Sequence, residues 1–303
     1  MQANSTITAV PGVEVGHWTD LDAATGVTVI NLPEPNLAAF EARGGAPGTR
    51  ETALLAPSMK IETIQALVFS GGSAFGLASA DGVMTELAAA GRGHPTPAGP
   101  VPIVPAAILY DLIVGANSPP DAAAGAAAYR ARSSGPVPLG TVGAGTGATV
   151  SKWNGFENMR KAGIGSAATR VGTATLGVLA AVNAVGDVVR LDGSWVTGGP
   201  TLEPPEVAGF RENTTLVAVV TDALLNKSDL LRLAVRSHDA LAATLRPAHT
   251  RYDGDIVFSV SCGEEEADLD VLGEATFNAV AAAIVSSVEE ATSLAGIPEA
   301  DRG

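Results

Sequence analysis

The feature that most constrains the fold is the run of β-branched and apolar residues that follows position 214. The segment from Thr215 to Thr221 reads Thr-Leu-Val-Ala-Val-Val-Thr, without alternation of polar and apolar positions. Such a run is typical of a strand that is covered on both faces. The fold must therefore supply layers on either side of this strand.

The rest of the C-terminal segment alternates in type. Ser228 is a candidate N-cap for a helix with apolar residues on one face, and Pro247 ends that helix. A second strand is predicted at 255–261 and a final helix at 270–294. After position 214 the chain therefore reads β-α-β-α.

The first 213 residues predict further elements. Strands are expected at 26–32 and 66–70, helices at 74–90 and 121–131, and a proline-rich loop at 94–105. Small and β-branched residues at 173–189 predict a hairpin with its turn near 183–187. Residues 198–213 hold three prolines and several acids, which predicts an exposed linker.

Composition limits the classes of function. The chain has 303 residues, 46% of them hydrophobic, which suits one large domain over residues 1–303. Its net charge of −14 disfavours a nucleic-acid partner. We find no signal peptide and no apolar stretch that would span a membrane, so a soluble cytoplasmic protein is expected.

Metal and cofactor motifs are missing from the sequence. Cys262 is the single cysteine, and the four histidines do not fall at metal-ligand spacing. The glycine-rich segment 140–147 is not followed by Gly-Lys-Ser/Thr and lacks the Gly-x-Gly-x-x-Gly spacing, so a nucleotide site is not indicated. We expect no metal and no cofactor, and close backbone packing around these glycines.

The junction between Asn213 and Thr214 joins the polar linker to the buried strand. A threonine at a chain start carries its own base, the free α-amine, but an internal threonine gains that amine only when the preceding bond is cut. On local residues alone, a turn that enters a strand is the commoner explanation of Asn-Thr-Thr. A glycosylation sequon fits as well, although it needs a secreted protein.

Several segments, taken together and in order, resemble the DmpA-type family of N-terminal-nucleophile hydrolases, which includes L-aminopeptidase/D-esterases, β-peptidyl aminopeptidases and nylon-oligomer hydrolases. They are Gly71-Gly-Ser-Ala-Phe-Gly-Leu77, Val101-Pro-Ile-Val-Pro-Ala-Ala-Ile-Leu-Tyr-Asp111, Gly143-Ala-Gly-Thr-Gly147, Asn213-Thr-Thr215 and Asp253-Gly-Asp255. The similarity runs from about Val13 to the last helix.

The resemblance implies a four-layer αββα sandwich and an enzyme that hydrolyses amide bonds. It also implies cleavage into an α chain of residues 1–213 and a β chain of residues 214–303 that stay together. A homo-oligomer, often a tetramer of these α/β pairs, is expected. The substrate is then a short peptide, an aminoacyl amide or an aliphatic 6-aminohexanoate oligomer.

The resemblance also assigns roles to individual residues. Thr214 aligns with the nucleophile, and Asn183 with a residue near the oxyanion, although Asn183 is equally natural in a β-turn. Lys152 aligns with a basic residue that would lower the pKa of the α-amine, whereas by itself it reads as a solvated surface lysine. Asp253 and Asp255 match a pair that orients the nucleophile, and one of the two would have a raised pKa. A solvated Asp-Gly turn is the alternative for that pair.

Three more residues are expected to line the site. Tyr110 aligns with a tyrosine whose hydroxyl faces it, with a buried core tyrosine as the alternative. Gly143 and Gly145 are expected to pack nearby.

One departure narrows the activity. The β-peptidyl aminopeptidases have a serine nucleophile, with serine and glutamate where this chain has Asp253 and Asp255. The threonine and the aspartate pair favour the nylon-oligomer hydrolase branch and bacterial aminopeptidases. An acyltransferase of the ornithine acetyltransferase type, or a non-catalytic protein of the same fold, is the alternative.

Overall fold

The computed structural model describes residues 4–200 and 212–301. In this part of the chain the strands are β1 (Glu14–Asp20), β2 (Thr25–Asn31), β3 (Leu37–Ala42), β4 (Thr49–Arg50), β5 (Ala66–Ser70), β6 (Ala106–Ile108), β7 (Thr149–Val150), β8 (Arg160–Lys161), β9 (Ile164–Val171), β10 (Ala174–Asn183), β11 (Asp187–Val188), β12 (Thr214–Ala223), β13 (Leu245–Arg246) and β14 (Ile256–Glu265). The α-helices are α1 (Ser79–Ala89), α2 (Ala122–Arg130), α3 (Lys227–Thr244) and α4 (Leu269–Glu289).

Ten of these strands form two five-stranded sheets. The first sheet has the order β1-β2-β5-β6-β4, and the second has the order β3-β14-β12-β10-β9. In the second sheet β12 runs antiparallel to β10 and parallel to β14, with α3 as the crossover between β12 and β14. The strand that follows position 214 is therefore the middle strand of its sheet.

Three apolar layers alternate with the sheets. Along β12, Leu216 and Val220 pack between the two sheets, whereas Val217 and Val219 pack against α3 and α4. On the far side of the first sheet, apolar residues of β2 and β5 pack against α1 and α2. The order of layers is helix, sheet, sheet, helix, which confirms the predicted four-layer αββα sandwich.

Most elements form where the sequence predicts them. The strands at 66–70 and after position 214 are confirmed, as is the helix at 121–131, which Asp121 caps. The predicted helix at 74–90 is divided into a 3-10 segment, Ser73–Ala78, and α1. Asn226 rather than Ser228 caps α3, through a capping box with Asp229, and α4 ends at Glu289 rather than near 294.

The predicted hairpin at 173–189 is wrong. Residues 174–183 form one strand, and the turn lies before it, at Gly172, where φ is +63°. Both faces of β10 are buried, so small and β-branched residues continue through it without a polar interruption that would show the turn. After Asn183 the chain leaves the sheet, and β11 pairs with β13.

Two further sequence predictions need qualification. The linker prediction falls mainly on residues 201–211, which lie outside the described residues, but its last residue, Asn213, is 2% exposed and therefore buried. Helix α4 is long and apolar enough to span a membrane, with a mean hydropathy of 1.5. It packs on β9, β10 and α3, as the core helix of a folded domain does.

Candidate active site

The ends of three strands bring the predicted residues together. Asn183, the last residue of β10, is paired directly with Thr214, the first residue of β12. Asp253 forms an isolated bridge with Asn213, and Asp255 directly precedes β14. Residues at alternate positions share a face, so Thr214 projects like Leu216 into the layer between the sheets.

The Asn213 carbonyl oxygen lies within a small set of donors. The Thr214 hydroxyl donates to it, and the Gly254 N–H donates to it at 2.7 Å. A Cβ at Gly254 would lie 2.8 Å from the Thr214 hydroxyl and 2.7 Å from the Ala46 carbonyl oxygen. The absence of a side chain at Gly254 therefore allows its N–H to approach the bond that precedes Thr214.

The Asn183 side chain connects the strand end to its surroundings. Its Oδ1 accepts from the Thr149 N–H at 3.0 Å and from Lys152 Nζ at 2.9 Å. Its Nδ2 donates to the Tyr110 carbonyl oxygen at 3.0 Å. These bonds fix the amide orientation and leave one N–H of Nδ2 for another acceptor. Tyr110 thus reaches this site through its backbone carbonyl.

Lys152 is buried, contrary to its reading as a solvated surface lysine. Its Nζ contacts the side chain of Asn183 and, at 3.3 Å, the carbonyl oxygen of that residue. Burial is the largest cause of a pKa for Lys152 that is lowered to about 7; the charge of Asp253 opposes this shift, and the charge of the nearby Lys161 adds to it. The ammonium therefore exchanges its proton near neutral pH.

The two aspartates receive different donors. Asp253 accepts from the Val185 N–H at 3.3 Å and from the Thr250 hydroxyl at 2.6 Å. Asp255 accepts from the Thr215 N–H at 2.8 Å. Burial is the largest cause, and the charge of Asp255 the second, of a pKa for Asp253 that is raised to about 6. A raised pKa for one member of the pair agrees with the sequence prediction.

Sequence reasoning missed His249. Its ring nitrogen Nδ1 lies 2.8 Å from Asp255 Oδ2, and its backbone N–H donates to the same oxygen at 3.0 Å. In the sequence His249 belongs to no motif, and its six-residue separation from Asp255 spans a loop. The only available signal was a histidine shortly before the Asp-Gly-Asp segment.

Gly143 and Gly145 pack closely against neighbouring segments of the chain. The Gly143 N–H donates to the Thr19 hydroxyl at 2.9 Å, and a Cβ at Gly145 would lie 2.4 Å from the Ile164 nitrogen. The expected close backbone packing is therefore present.

A second buried lysine supports this glycine-rich turn. Lys161 Nζ donates to the carbonyl oxygens of Thr146 and Ala148, each at 2.7 Å. Burial lowers its pKa to about 7, although the charge of the buried Asp111 opposes the shift. Asp111 in turn accepts from the Gly72 N–H and from the Thr25 hydroxyl, each at 2.7 Å.

Comparison with known proteins assigns the chain to a family. The profile of Peptidase family S58 matches residues 5–301. The chain belongs to this family. An uncharacterized aminopeptidase of Mycobacterium leprae is 39% identical over 97% of this chain and 92% of its own length. A 6-aminohexanoate-oligomer endohydrolase of Paenarthrobacter ureafaciens is 29% identical over 84% of this chain and 74% of its own.

Solved structures agree on the fold. A beta-aminopeptidase of Burkholderia sp. superposes with a TM-score of 0.78, covers 100% of this chain and 91% of its own, and is 23% identical. The L-aminopeptidase D-ala-esterase/amidase of Ochrobactrum anthropi, described as a variant of the Ntn-hydrolase fold, gives 0.76 at 22% identity, over 98% and 88% of the two chains. Family and fold together confirm the resemblance and make this S58 chain an amide-bond hydrolase.

Proposed function

We propose that this S58 hydrolase cleaves its own chain between Asn213 and Thr214 and then uses Thr214 as its nucleophile. The observation that carries this proposal is the contact of the Thr214 hydroxyl with the Asn213 carbonyl, which also accepts the Gly254 N–H. A hydroxyl beside the carbonyl that precedes it is placed for an attack on that carbonyl. The Gly254 N–H supplies a hydrogen-bond donor for the negative charge that would develop on the Asn213 carbonyl oxygen.

In the cleavage, Thr214 Oγ1 bonds to the Asn213 carbonyl carbon, and the hydroxyl gives up its proton. The Thr214 nitrogen takes a proton and leaves, so the peptide bond becomes an ester. Water then hydrolyses the ester, which gives a carboxylate on Asn213 and a free α-amine on Thr214. Asp253, whose pKa is raised to about 6, is the nearby carboxylate suited to accept a proton.

In turnover, the free α-amine of Thr214 serves as the base for its own hydroxyl. The Lys152 ammonium lowers the pKa of that amine, so that the amine is neutral at the working pH. The remaining N–H of Asn183 Nδ2 donates to the substrate oxyanion. The acyl group of the substrate is held on Thr214 as an ester until water releases it.

The two fragments are expected to remain together, because β12 of the β chain lies between β10 of the α chain and β14. Eight residue pairs join β10 to β12. The homotetramer of such pairs remains a prediction, which size-exclusion chromatography with light scattering would test.

For the substrate, the relatives favour a short peptide or aminoacyl amide, with a 6-aminohexanoate oligomer as the second candidate. The aminopeptidase of Mycobacterium leprae shares more identity with this chain than the endohydrolase does, 39% against 29%. A panel of aminoacyl p-nitroanilides, β-peptides and aminohexanoate oligomers separates these classes. Transfer of the acyl group to an amine, measured in the same assay, would favour an acyltransferase instead.

The role of Thr214 is tested by Thr214→Ala, with Thr215→Val as the matched control. Thr214→Ala removes the attacking hydroxyl and should abolish both self-cleavage and hydrolysis of every panel member. Thr215→Val keeps the branched side chain and the N–H that Asp255 accepts, and it should still be cleaved. Cleavage that persists in Thr214→Ala would contradict the proposal.

A further inference from the structure

His249 lies in the loop between β13 and β14, next to the aspartate that holds the start of β12. Its side chain is 19% exposed. Asp255 divides its two oxygens between neighbours: Oδ1 accepts from the Thr215 N–H, and Oδ2 accepts from His249. One carboxylate therefore connects the histidine to the residue that follows the nucleophile.

Both ring nitrogens of His249 face oxygen acceptors. Nδ1 lies 2.8 Å from Asp255 Oδ2, and Nε2 lies 3.4 Å from the carbonyl oxygen of His238. A neutral imidazole has one donor and one acceptor nitrogen, so one of these contacts would bring two acceptors together. The doubly protonated imidazolium donates to both oxygens and fits this geometry.

The charges around His249 favour the same form. Asp255 and Asp253 are the acids on its own loop. From α3, His238 packs edge-on with its ring centroid 4.9 Å away, and burial lowers the pKa of His238 to about 4, so this neighbour is neutral. Arg43, which directly follows β3, is a cation near His238 and is paired with Glu41. Arg251, on the same loop as His249, donates to the Tyr252 hydroxyl.

We infer that His249 is a positioning residue of the S58 active site: as an imidazolium it donates to Asp255 and keeps that carboxylate aimed at the Thr215 N–H. The inference rests on the proposed function, because it matters only if Thr214 is the nucleophile. Burial acts to lower the pKa of His249, but the hydrogen bond and the charge of Asp255 outweigh it, and the net pKa is raised.

The two aspartates, Asp253 and Asp255, therefore have different roles. Both Asp255 oxygens are occupied by donors, whereas Asp253 has a pKa raised to about 6 and is the member suited to take up a proton. Asp253 is then the member that exchanges protons, and Asp255 is the member that fixes the backbone beside Thr214. Loss of His249 would leave Asp255 without its cation.

The backbone at His249 decides which substitutions are informative. Its φ is +54°, in the left-handed region that glycine and asparagine tolerate best. His249→Asn and His249→Gly therefore remove the imidazole without imposing backbone strain. Both keep the N–H that donates to Asp255, so they isolate the side chain. His94→Gln, which removes a histidine distant in sequence from these loops, is the matched control.

The direct test is the protonation state of His249, followed by ¹⁵N-resolved NMR of the imidazoles between pH 5 and 9. Thr214→Ala keeps the sample in one covalent form, and signals lost in the Thr214→Ala/His249→Asn double variant assign His249. We expect both nitrogens to be protonated at pH 6.5 and to titrate above that value. A neutral His249 at pH 6.5 would overturn the inference.

Kinetics and thermal unfolding supply the second readout. His249→Asn and His249→Gly should lower kcat about tenfold, the usual effect of losing one charge-assisted hydrogen bond, and leave KM within about twofold. The loss of Tm against the parent should be largest below pH 6.5 and shrink as pH rises through the raised pKa of His249. Unchanged kcat with a pH-independent Tm difference would overturn the inference, whereas cleavage of Thr214→Ala would overturn the proposed function alone.

Discussion

Two buried lysines lie side by side in this fold, and their surroundings differ. The Lys152 region, made up of Lys152, Asn183 and Thr214, joins the ammonium to the side chain of Asn183, a residue that is paired across strands with Thr214. The Lys161 region, made up of Lys161, Thr146 and Ala148, joins the ammonium to two backbone carbonyls. Burial lowers the pKa of both lysines to about 7.

Because both lysines have the same lowered pKa, a shifted pKa alone does not identify a catalytic group. Such shifts are common at active sites, but structural burial produces them as well. What separates the two lysines is the partner. Lys161 donates to two backbone carbonyls of the glycine-rich turn, whereas Lys152 donates to the Asn183 side chain, next to the bond that we propose is cleaved. The first arrangement stabilises a turn, and the second can change the charge at a reaction centre.

The largest expected difference between the two regions is in rate. Lys152→Met keeps an apolar chain of similar length but removes the cation beside Asn183. It should lower the rates of self-cleavage and of amide hydrolysis by about 10²- to 10³-fold, the range for loss of one preorganised electrostatic group. Rates are measured by the appearance of the cleaved fragments and by p-nitroanilide release.

Lys161→Met is the matched control for that variant. It removes a lysine that is also buried and whose pKa is likewise lowered to about 7, and it should change those rates less than about tenfold once the protein is folded. Equal losses in the two variants would remove the distinction between a catalytic and a structural lysine.

Asn183→Ala tests the link between Lys152 and Thr214. The substitution removes the side-chain acceptor for Lys152 Nζ and the Nδ2 donor proposed for the oxyanion, and keeps the backbone carbonyl of residue 183. The expected loss in kcat is about 10²- to 10³-fold, as is typical when one oxyanion donor is deleted. A loss that appears in KM, with kcat preserved, would show that Asn183 binds substrate and does not stabilise the transition state.

The pH dependence of the rate tests whether Lys152 and Lys161 are coupled. The proposed mechanism needs ionised Asp253, with a pKa raised to about 6, and protonated Lys152, with a pKa lowered to about 7. The rate should rise as pH increases through the first value and fall as it increases through the second. Because the charge of Lys161 lowers the pKa of Lys152, Lys161→Met should move the alkaline limb to higher pH. An unmoved limb would show that the two lysines are not coupled.

The smallest expected effect is on stability, and here the order of the lysines reverses. In Lys161→Met the Thr146 carbonyl loses its ammonium donor, whereas Ala148 retains the Ala162 N–H. One buried carbonyl without a partner costs about 1–3 kcal/mol. Lys152→Met removes a desolvated cation and should cost less. Urea unfolding of both variants in a Thr214→Ala background gives the two free energies directly.

The sequence predicts the core elements well, because their signals are local. The β-branched run after Thr214 and the Asp253-Gly-Asp255 segment both lie where they are needed. The burial of Lys161 and the pairing of His249 with Asp255 leave no such signal, because each depends on contacts between separate loops and strands. The sequence did not predict the turn before β10 either, because a strand buried on both faces shows no polar alternation.

In the proposed mechanism, Thr214 becomes the N-terminal residue of the β chain. Intact-mass analysis and N-terminal sequencing of the purified protein test it most directly. We expect fragments of roughly 21 and 9 kDa, in proportion to 213 and 90 of the 303 residues. The smaller fragment should begin with Thr-Thr-Leu-Val. The Thr214→Ala variant should stay at the full 30.3 kDa. A catalytically active sample that contains only the intact chain would contradict the account.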